Sequence, residues 1–484
     1  MPLILPGNVA SATAATTYTV ANSCRFDAAT SAKMHKAVST SNSNTKFTIS
    51  FWMKPSKYNA YQRILWGGVG SGNESGITLY AQGRDDVADG VLSIYFNGSS
   101  SVRSWLTERA FRDYASWYHI FIRVDTTDST AADRIQLWVN GVRETDFSES
   151  SNPGEDETFD LFHTNNITVG MEQDSGDQFP YNGYLAEFVV LDGTAAAVTD
   201  LGEFDEDSPS IWKPIDPSGL SFGTSGFWLD FEDSANLGND ANGGTDLTET
   251  NIAAVDQCTD SPTNNFCTAN PLNGPFVGTL SEGNCKYIPT ATAHTVEGTM
   301  GITAGKWYWE VRCSDDSIAF GLLENGWSPV GNSDDNYPAY TIVNTGNTTW
   351  VAYNNVSAGN QGSNFTDTAV PDTGDAIVQI AFDADNQNMY VGLDNDWMNS
   401  GDPTSGASGT GAVVTSIQAE NGGTIIPFFG VSGGVSRTWE LNFGNPTWTL
   451  SSAANDANGY GNFEFAPPSG YYALCTKNLV EFGG

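Results

Sequence analysis

The chain has 484 residues, 39% hydrophobic and 16% charged, enough for two or three domains that each bury a core. Its formal charge of -37 leaves no surface that neutralises phosphate, so nucleic acid and anionic membranes are excluded as partners. The 51 glycines, together with many Asn, Ser, Thr and aromatic residues, favour short strands and tight turns and predict an all-β chain.

The first residues, MPLILPGNVASATAATTYTVANSC (1–24), hold a short apolar patch and no basic residue before Arg25. They read as an extended N-terminal arm over 1–21 that orders on docking, not as a secretion signal. No run approaches the ~20 apolar residues of a membrane span. From residue 47 the hydrophobic pattern has period two, in FTISFWMKPS (47–56), QRILWGG (62–68), GITLYAQG (76–83), GVLSIYFNG (90–98), SWYHIFIRVD (116–125), RIQLWVNGVRE (134–144), NITVGME (166–172) and NGYLAEFVVLDG (182–193). Regular strands bounded by Gly, Asn, Asp or Pro, with no helix between them, predict an antiparallel β-sandwich. Within it, WVNG marks a hairpin, because Asn140 and Gly141 tolerate the positive φ of a primed turn.

FTISFWMKPS, WYHIFIRVD, IQLWVNGV and NGYLAEFVVLDG, in that order, resemble the strands of the laminin-G and concanavalin A-like jelly roll. Tyr118 and His119 stand in its first motif, Asn140 and Gly141 in its hairpin, and Ala186, Glu187 and Phe188 in its closing strand. The resemblance covers residues 22–233, with GFWLDFED (226–233) as the last strand. Jelly rolls of this type sometimes bind Ca²⁺ through rim loops. DTTDSTAAD (125–133) and MEQDSGDQ (171–178) offer Asp125, Asp128, Asp174 and Asp177 as such ligands, or are ordinary acidic turns.

Residues 234–275 are dense in turn formers and read as a linker or collar. Strands resume with CKYIPTATAHTVEGTMGI (285–302), GKWYWEV (305–311), IAFGLLENGW (318–327), GDAIVQIAFDADNQNMYVGLDNDW (374–397), IIPFFGVSG (425–433) and RTWELNFGNPTW (437–448). In GKWYWEV the two indoles of Trp307 and Trp309 alternate with Tyr308 and Glu310, so one face is expected to be core and the other to carry Tyr and Glu. The order of a GKWYWEV strand, an FG strand, a GDAIVQIAFD strand with its hairpin, and a late LNFG strand resembles the SPRY domain over residues 276–484. That family binds partners through loops between its strands. The aromatics in the corresponding loops here, Trp327, Tyr337, Trp350, Tyr353 and Trp397, are therefore the candidate glycan- or partner-binding residues.

A lectin-like jelly roll, the text DSPTNNFCTANPLN (260–273) and a SPRY-like domain ending YYALCTKNL resemble structural proteins of tailed bacteriophages. The resemblance implies a compact appendage on the virion surface and a symmetric homo-oligomer, for which a trimer is the expectation. Its arm and jelly roll would mount on other virion proteins, and its second domain would meet a host-surface glycan or receptor. A capsid decoration protein without sugar binding and a polysaccharide depolymerase are the alternatives.

Residues suited to catalysis are sparse, and no enzymatic activity is expected. Glu203, Asp205 and Asp207 alternate as glycosidase carboxylates do, but Ser-Pro-Ser follows at once and predicts a solvated acidic loop. His119 lies mid-strand and reads as a packed, hydrogen-bonded histidine. Neither CxxC nor HExxH occurs, which excludes zinc by local motif. Asp383 and Asp385 superficially resemble a Ca²⁺ loop, but Gln387 and Asn388 replace its third ligand and its glycine. The six cysteines are expected as buried thiols, with a Cys258–Cys267 bridge the alternative if oxidised.

Overall fold

The computed structural model describes residues 4, 18–38, 41–56, 61–68, 74–80, 89–162, 166–173, 177–272, 278–290, 295–313, 317–324, 339–345, 348–355, 363–368, 376–419, 423–431 and 437–483. These fold as two compact units, one formed by residues 13–263 with 281–283, the other by residues 1–12, 264–280 and 284–484. Both are antiparallel β-sandwiches, and the one described α-helix is the seven-residue Thr476–Phe482.

In the first unit one sheet runs Val142–Arg143, Ile135–Val139, Tyr118–Asp125, Lys46–Pro55, Gly183–Asp192, Ser23–Phe26 and Gln257–Cys258 in spatial order, and Phe227–Leu229 also pairs with Gly183–Asp192. The other runs Phe147–Ser150, Val102–Ala110, Val91–Asn97, Ser75–Tyr80, Tyr61–Gly67, Asn166–Val169, Lys33–Ala37 and Thr248–Thr250. Phe47, Ile49, Phe51, Ile120 and Ile122 from the first sheet meet Leu65, Ile77, Ile94 and Trp105 from the second in one buried core. Asn140 and Gly141 both take positive φ (48° and 73°), as the WVNG hairpin requires.

In the second unit a seven-stranded sheet ordered Ala269–Asn270, Thr295–Gly298, Ile425–Val431, Ser317–Glu324, Ala339–Thr345, Thr349–Asn355 and Ser363–Thr366 packs on a nine-stranded one. Lys306–Cys313 is central to the latter, between Trp439–Asn442 and Ile377–Asp383. Trp307 and Trp309 fill the core between the sheets. The opposite face of the strand is buried as well: Tyr308 packs with Phe463, Tyr471 and Ala473. Glu310 accepts hydrogen bonds from the Tyr308 hydroxyl (2.8 Å), Asn442 Nδ2 (3.1 Å) and the backbone N–H groups of Glu464 and Phe465 (2.8 Å each). Burial raises its pKa, and these four donors keep the buried carboxyl fully partnered.

Three segments differ from their sequence reading. The turn-rich residues 234–275 are not a free linker: Thr248–Thr250 and Gln257–Cys258 add to the two sheets of the first unit, and Ala269–Asn270 adds to the second unit. These strands are two or three residues long, too short to show period two. Ile4, in the N-terminal arm, docks on the chain itself, its N–H donating to Thr299 O and its carbonyl accepting from Gly301 N–H (2.9 Å each). The acidic string 203–207 begins in a strand, Gly202–Phe204, paired with Trp212–Pro214. There the buried Asp205 caps its own turn through the N–H groups of Asp207 (3.0 Å) and Ser208 (2.8 Å) and lies 3.5 Å from Lys213 Nζ. All six cysteines are buried free thiols.

Candidate functional site

The two sheets of the first unit present different outer faces. Over the sheet containing Tyr118–Asp125 the chain lays its own roof. Trp212 lies across Gly141 and Gly202, where a Cβ would come within 2.2 and 2.5 Å of the indole. Its Nε1–H donates to His119 Nδ1 (2.8 Å), so the histidine carries its proton on Nε2, which donates to Ser50 Oγ (2.8 Å). The imidazole also stacks on Trp52, and burial lowers its pKa to about 3. His119 is therefore a neutral structural residue, as its mid-strand position predicts.

The same roof holds two buried carboxyls. Asp260 accepts from Lys54 Nζ (2.7 Å) and Trp117 Nε1 (2.9 Å). Glu187, at a bulge with φ 46°, accepts from the Tyr18 hydroxyl (3.0 Å) and Trp228 Nε1 (2.9 Å), and burial pushes its pKa up to about 8.

The second sheet carries no such roof among the described residues. Leu65, Ile77 and Ile94 face the core, so Trp66, Gly76 and Tyr95, which lie in one cross-strand row, face outward with Ser104. Gly76 is needed there because the indole of Trp66 lies flat over it, and a Cβ would sit 2.3 Å from the ring. Tyr95 is half-buried and stacks beside the indole at 6.4 Å. The Arg63 guanidinium lies 4.2 Å from the Trp66 ring and 5.3 Å from that of Phe179. Arg63 Nε donates to Glu172 Oε2 (2.8 Å) and Nη1 to Thr78 Oγ1.

Hydrogen-bonding groups border this aromatic row. Ser104 Oγ donates to Glu149 (3.2 Å), and the Tyr95 hydroxyl has a raised pKa through burial and then Glu74. Trp66 is only 3% exposed, yet its Nε1–H has no hydrogen-bond partner among the described residues. Trp309 and Trp439 also leave this group unpartnered inside the core of the second unit, and Trp448 does so beneath Arg312; Trp66 does so on an outward face of the first unit. The buried Trp66 thus backs a half-buried Tyr95 and a clamped guanidinium, with flanking hydroxyls and carboxylates, and ring-plus-hydrogen-bond surfaces of this composition suit a polar, ring-shaped ligand.

This face was missed in the sequence because of one residue. Ile64 is a bulge, so Ile64 and Leu65 are both buried and the alternation changes phase within QRILWGG. Arg63 and Trp66, three apart, then share the outer face. The available signal was Trp66 followed by glycine, with a second glycine leading the next strand.

The residues singled out from sequence are dispersed. Trp350 is a correction: it is fully buried, donates Nε1–H to Thr368 O (3.0 Å) and stacks on Phe365, so it is a core pillar and not a loop contact. Tyr353 and Trp397 are half-buried, Tyr353 opposite Thr341 on its strand and Trp397 opposite Gly392. Trp327 and Tyr337 lie outside the described residues. Asp125 is also corrected as a Ca²⁺ ligand. Burial alone would raise its pKa, but hydrogen bonds from Thr127 and the cations Lys46 (3.3 Å) and Arg123 (3.2 Å) hold it below the usual range, and those cations would repel a metal ion.

Asp128 caps Thr130 N–H (2.8 Å). Asp174 and the side chain of Asp177 lie outside the described residues. Asp383 is held by Lys306 (2.9 Å) and Asn386 (2.8 Å). Among the described residues no group of three or more His, Cys, Asp or Glu is placed to hold a metal.

Residues 27–197 match the family model described as the concanavalin A-like lectin/glucanases superfamily. No curated protein is significantly similar to the chain. Among solved structures, the chain is similar to the TRIM65 PSpry domain, at 15% identity over 36% of this chain and 91% of that one, with a TM-score of 0.28. It is also similar to a putative carbohydrate binding protein from Bacteroides ovatus, at 13% identity over 48% of this chain and 59% of that one, with a TM-score of 0.36. A third is the heptameric SAP-like pentraxin from Limulus polyphemus, at 15% identity over 37% of this chain and 80% of that one, with a TM-score of 0.28. Laid on the observed strands, the family match spans the lectin-like sandwich that carries the Arg63–Trp66–Tyr95 face.

Proposed function

We propose that the chain is a non-enzymatic recognition protein that binds carbohydrate on the outer face bearing Arg63, Trp66 and Tyr95. The observation that carries this reading is the flat Trp66 indole over Gly76, stacked beside Tyr95 and clamped under Arg63, with its N–H unpartnered. Binding rather than hydrolysis is favoured because the buried carboxyls Asp205, Asp260 and Glu310 each accept bonds from the chain's own donors. Titration of the full chain against immobilised host-surface glycans tests the reading. Tyr95→Ala and Arg63→Ala are expected to weaken binding at least tenfold; binding that survives both would overturn it. Release of reducing ends from a bound polysaccharide would overturn the non-enzymatic part.

The setting we propose for this activity is the surface of a tailed-phage virion, with the second sandwich contacting a receptor or a neighbouring copy. The order of the two domains and the text joining them in the sequence support it. Gold-labelled antibody on intact particles tests it: label at the tail fits host attachment, label over the capsid fits decoration, and particles without label remove the virion setting.

A further inference from the structure

Among the described residues Arg63 is the one outward cation beside Trp66, and its charge is already balanced by Glu172 at 2.8 Å. Two more carboxylates border the same row, Glu149 through Ser104 and Glu74, which raises the pKa of Tyr95. Lys33 stands two strands away and is buried. Among the described residues the face therefore carries three carboxylates, Glu74, Glu149 and Glu172, to the one guanidinium of Arg63, on a chain whose formal charge is -37. A carboxylated or sulfated sugar placed there would lose its hydration and meet like charges. A neutral sugar meets no such penalty, and its hydroxyls can exchange hydrogen bonds with Ser104 and Glu149 at the edge of the row.

Resting on the carbohydrate reading above, we propose that this face selects neutral, hydroxyl-rich glycans and rejects uronate, sialylated and sulfated ones, with Glu172 as the specificity-determining residue. Glu172 acts by neutralising Arg63 while holding its guanidinium flat on Trp66.

The test is a glycan array carrying neutral, uronate-containing, sialylated and sulfated glycans, probed with the full chain and with Glu172→Gln. The parent is expected to bind neutral glycans at least tenfold more tightly than acidic ones, with little change between 0.05 and 0.5 M salt, on the order of a screening length from about 14 to 4 Å. Glu172→Gln keeps a hydrogen-bond acceptor beside Arg63 but frees its charge, and is expected to admit acidic glycans and narrow that ratio several-fold. Equal or tighter binding of acidic glycans by the parent overturns the selectivity while leaving carbohydrate binding in place. An unchanged ratio in Glu172→Gln overturns the role of Glu172. Absence of binding to every glycan overturns the carbohydrate reading and this inference with it.

Discussion

Two tryptophans of the first sandwich lie flat on glycine, Trp212 over Gly141 and Trp66 over Gly76, and they differ in what their indole N–H meets. On the roofed face Trp212 donates to His119, Trp117 to Asp260 and Trp228 to Glu187, so polar and aromatic groups close on one another. On the other face Trp66 has the same bed and no acceptor among the described residues. On the proposed reading the difference separates scaffold from recognition face: a buried polar group matched within the chain fixes structure, whereas one left unmatched marks the face proposed to bind.

The comparison can be broken most forcefully at the roof. Lys54→Met strands the buried Asp260 carboxylate and should cost about 3–5 kcal/mol, read as a lower denaturant midpoint at constant slope. Acid acts on the same layer. His119 has a folded pKa of about 3 against an unfolded value near 6.5, so the unfolded chain binds the extra proton between them. Its contribution is complete above pH 6.5 and should fall by about 2 kcal/mol by pH 5. Glu187, with a folded pKa of about 8, gains stability over the same fall in pH, so the slope is read as the difference in urea unfolding between the parent and His119→Asn, and a difference that does not change with pH would count against a neutral, buried His119.

One substitution applied to both tryptophans sharpens the contrast. Trp212→Phe leaves His119 Nδ1 without its donor and should destabilise by about 1–3 kcal/mol. Trp66→Phe removes a donor that had no protein partner, so calorimetric stability should change by less than about 1 kcal/mol, while glycan binding weakens. Equal destabilisation by the two changes would erase the proposed distinction between the faces.

The two sandwiches were legible in the sequence because long strands such as Lys46–Pro55 and Gly183–Asp192 are bounded by strong turn formers, and the WVNG hairpin has the backbone its residues predict. The candidate face was not. The strands of Trp66, Gly76 and Tyr95 were identified and that of Ser104 was not; the bulge at Ile64 decides which side Trp66 takes, and an extra buried residue leaves no mark in an alternating pattern. Trp350 failed for the converse reason: NTTWVAYNN is rich in turn formers, yet it forms a strand whose partners supply the burial. Asp125 resembled a metal ligand only while Lys46, 79 positions earlier in the chain, was out of view.

Glu310 has a consequence for the order of events during synthesis. Its partners Asn442, Glu464 and Phe465 lie 132, 154 and 155 residues downstream, and Tyr472–Ala473 pairs in parallel with its strand. A ribosome therefore delivers the carboxyl long before it delivers the groups that make its burial tolerable. Such distant closure is slow, because loop entropy is lost before the contacts reward it. The second sandwich should complete its fold only after residues 464–473 have left the exit tunnel, so a nascent chain stopped before residue 464 should remain protease-sensitive throughout that domain.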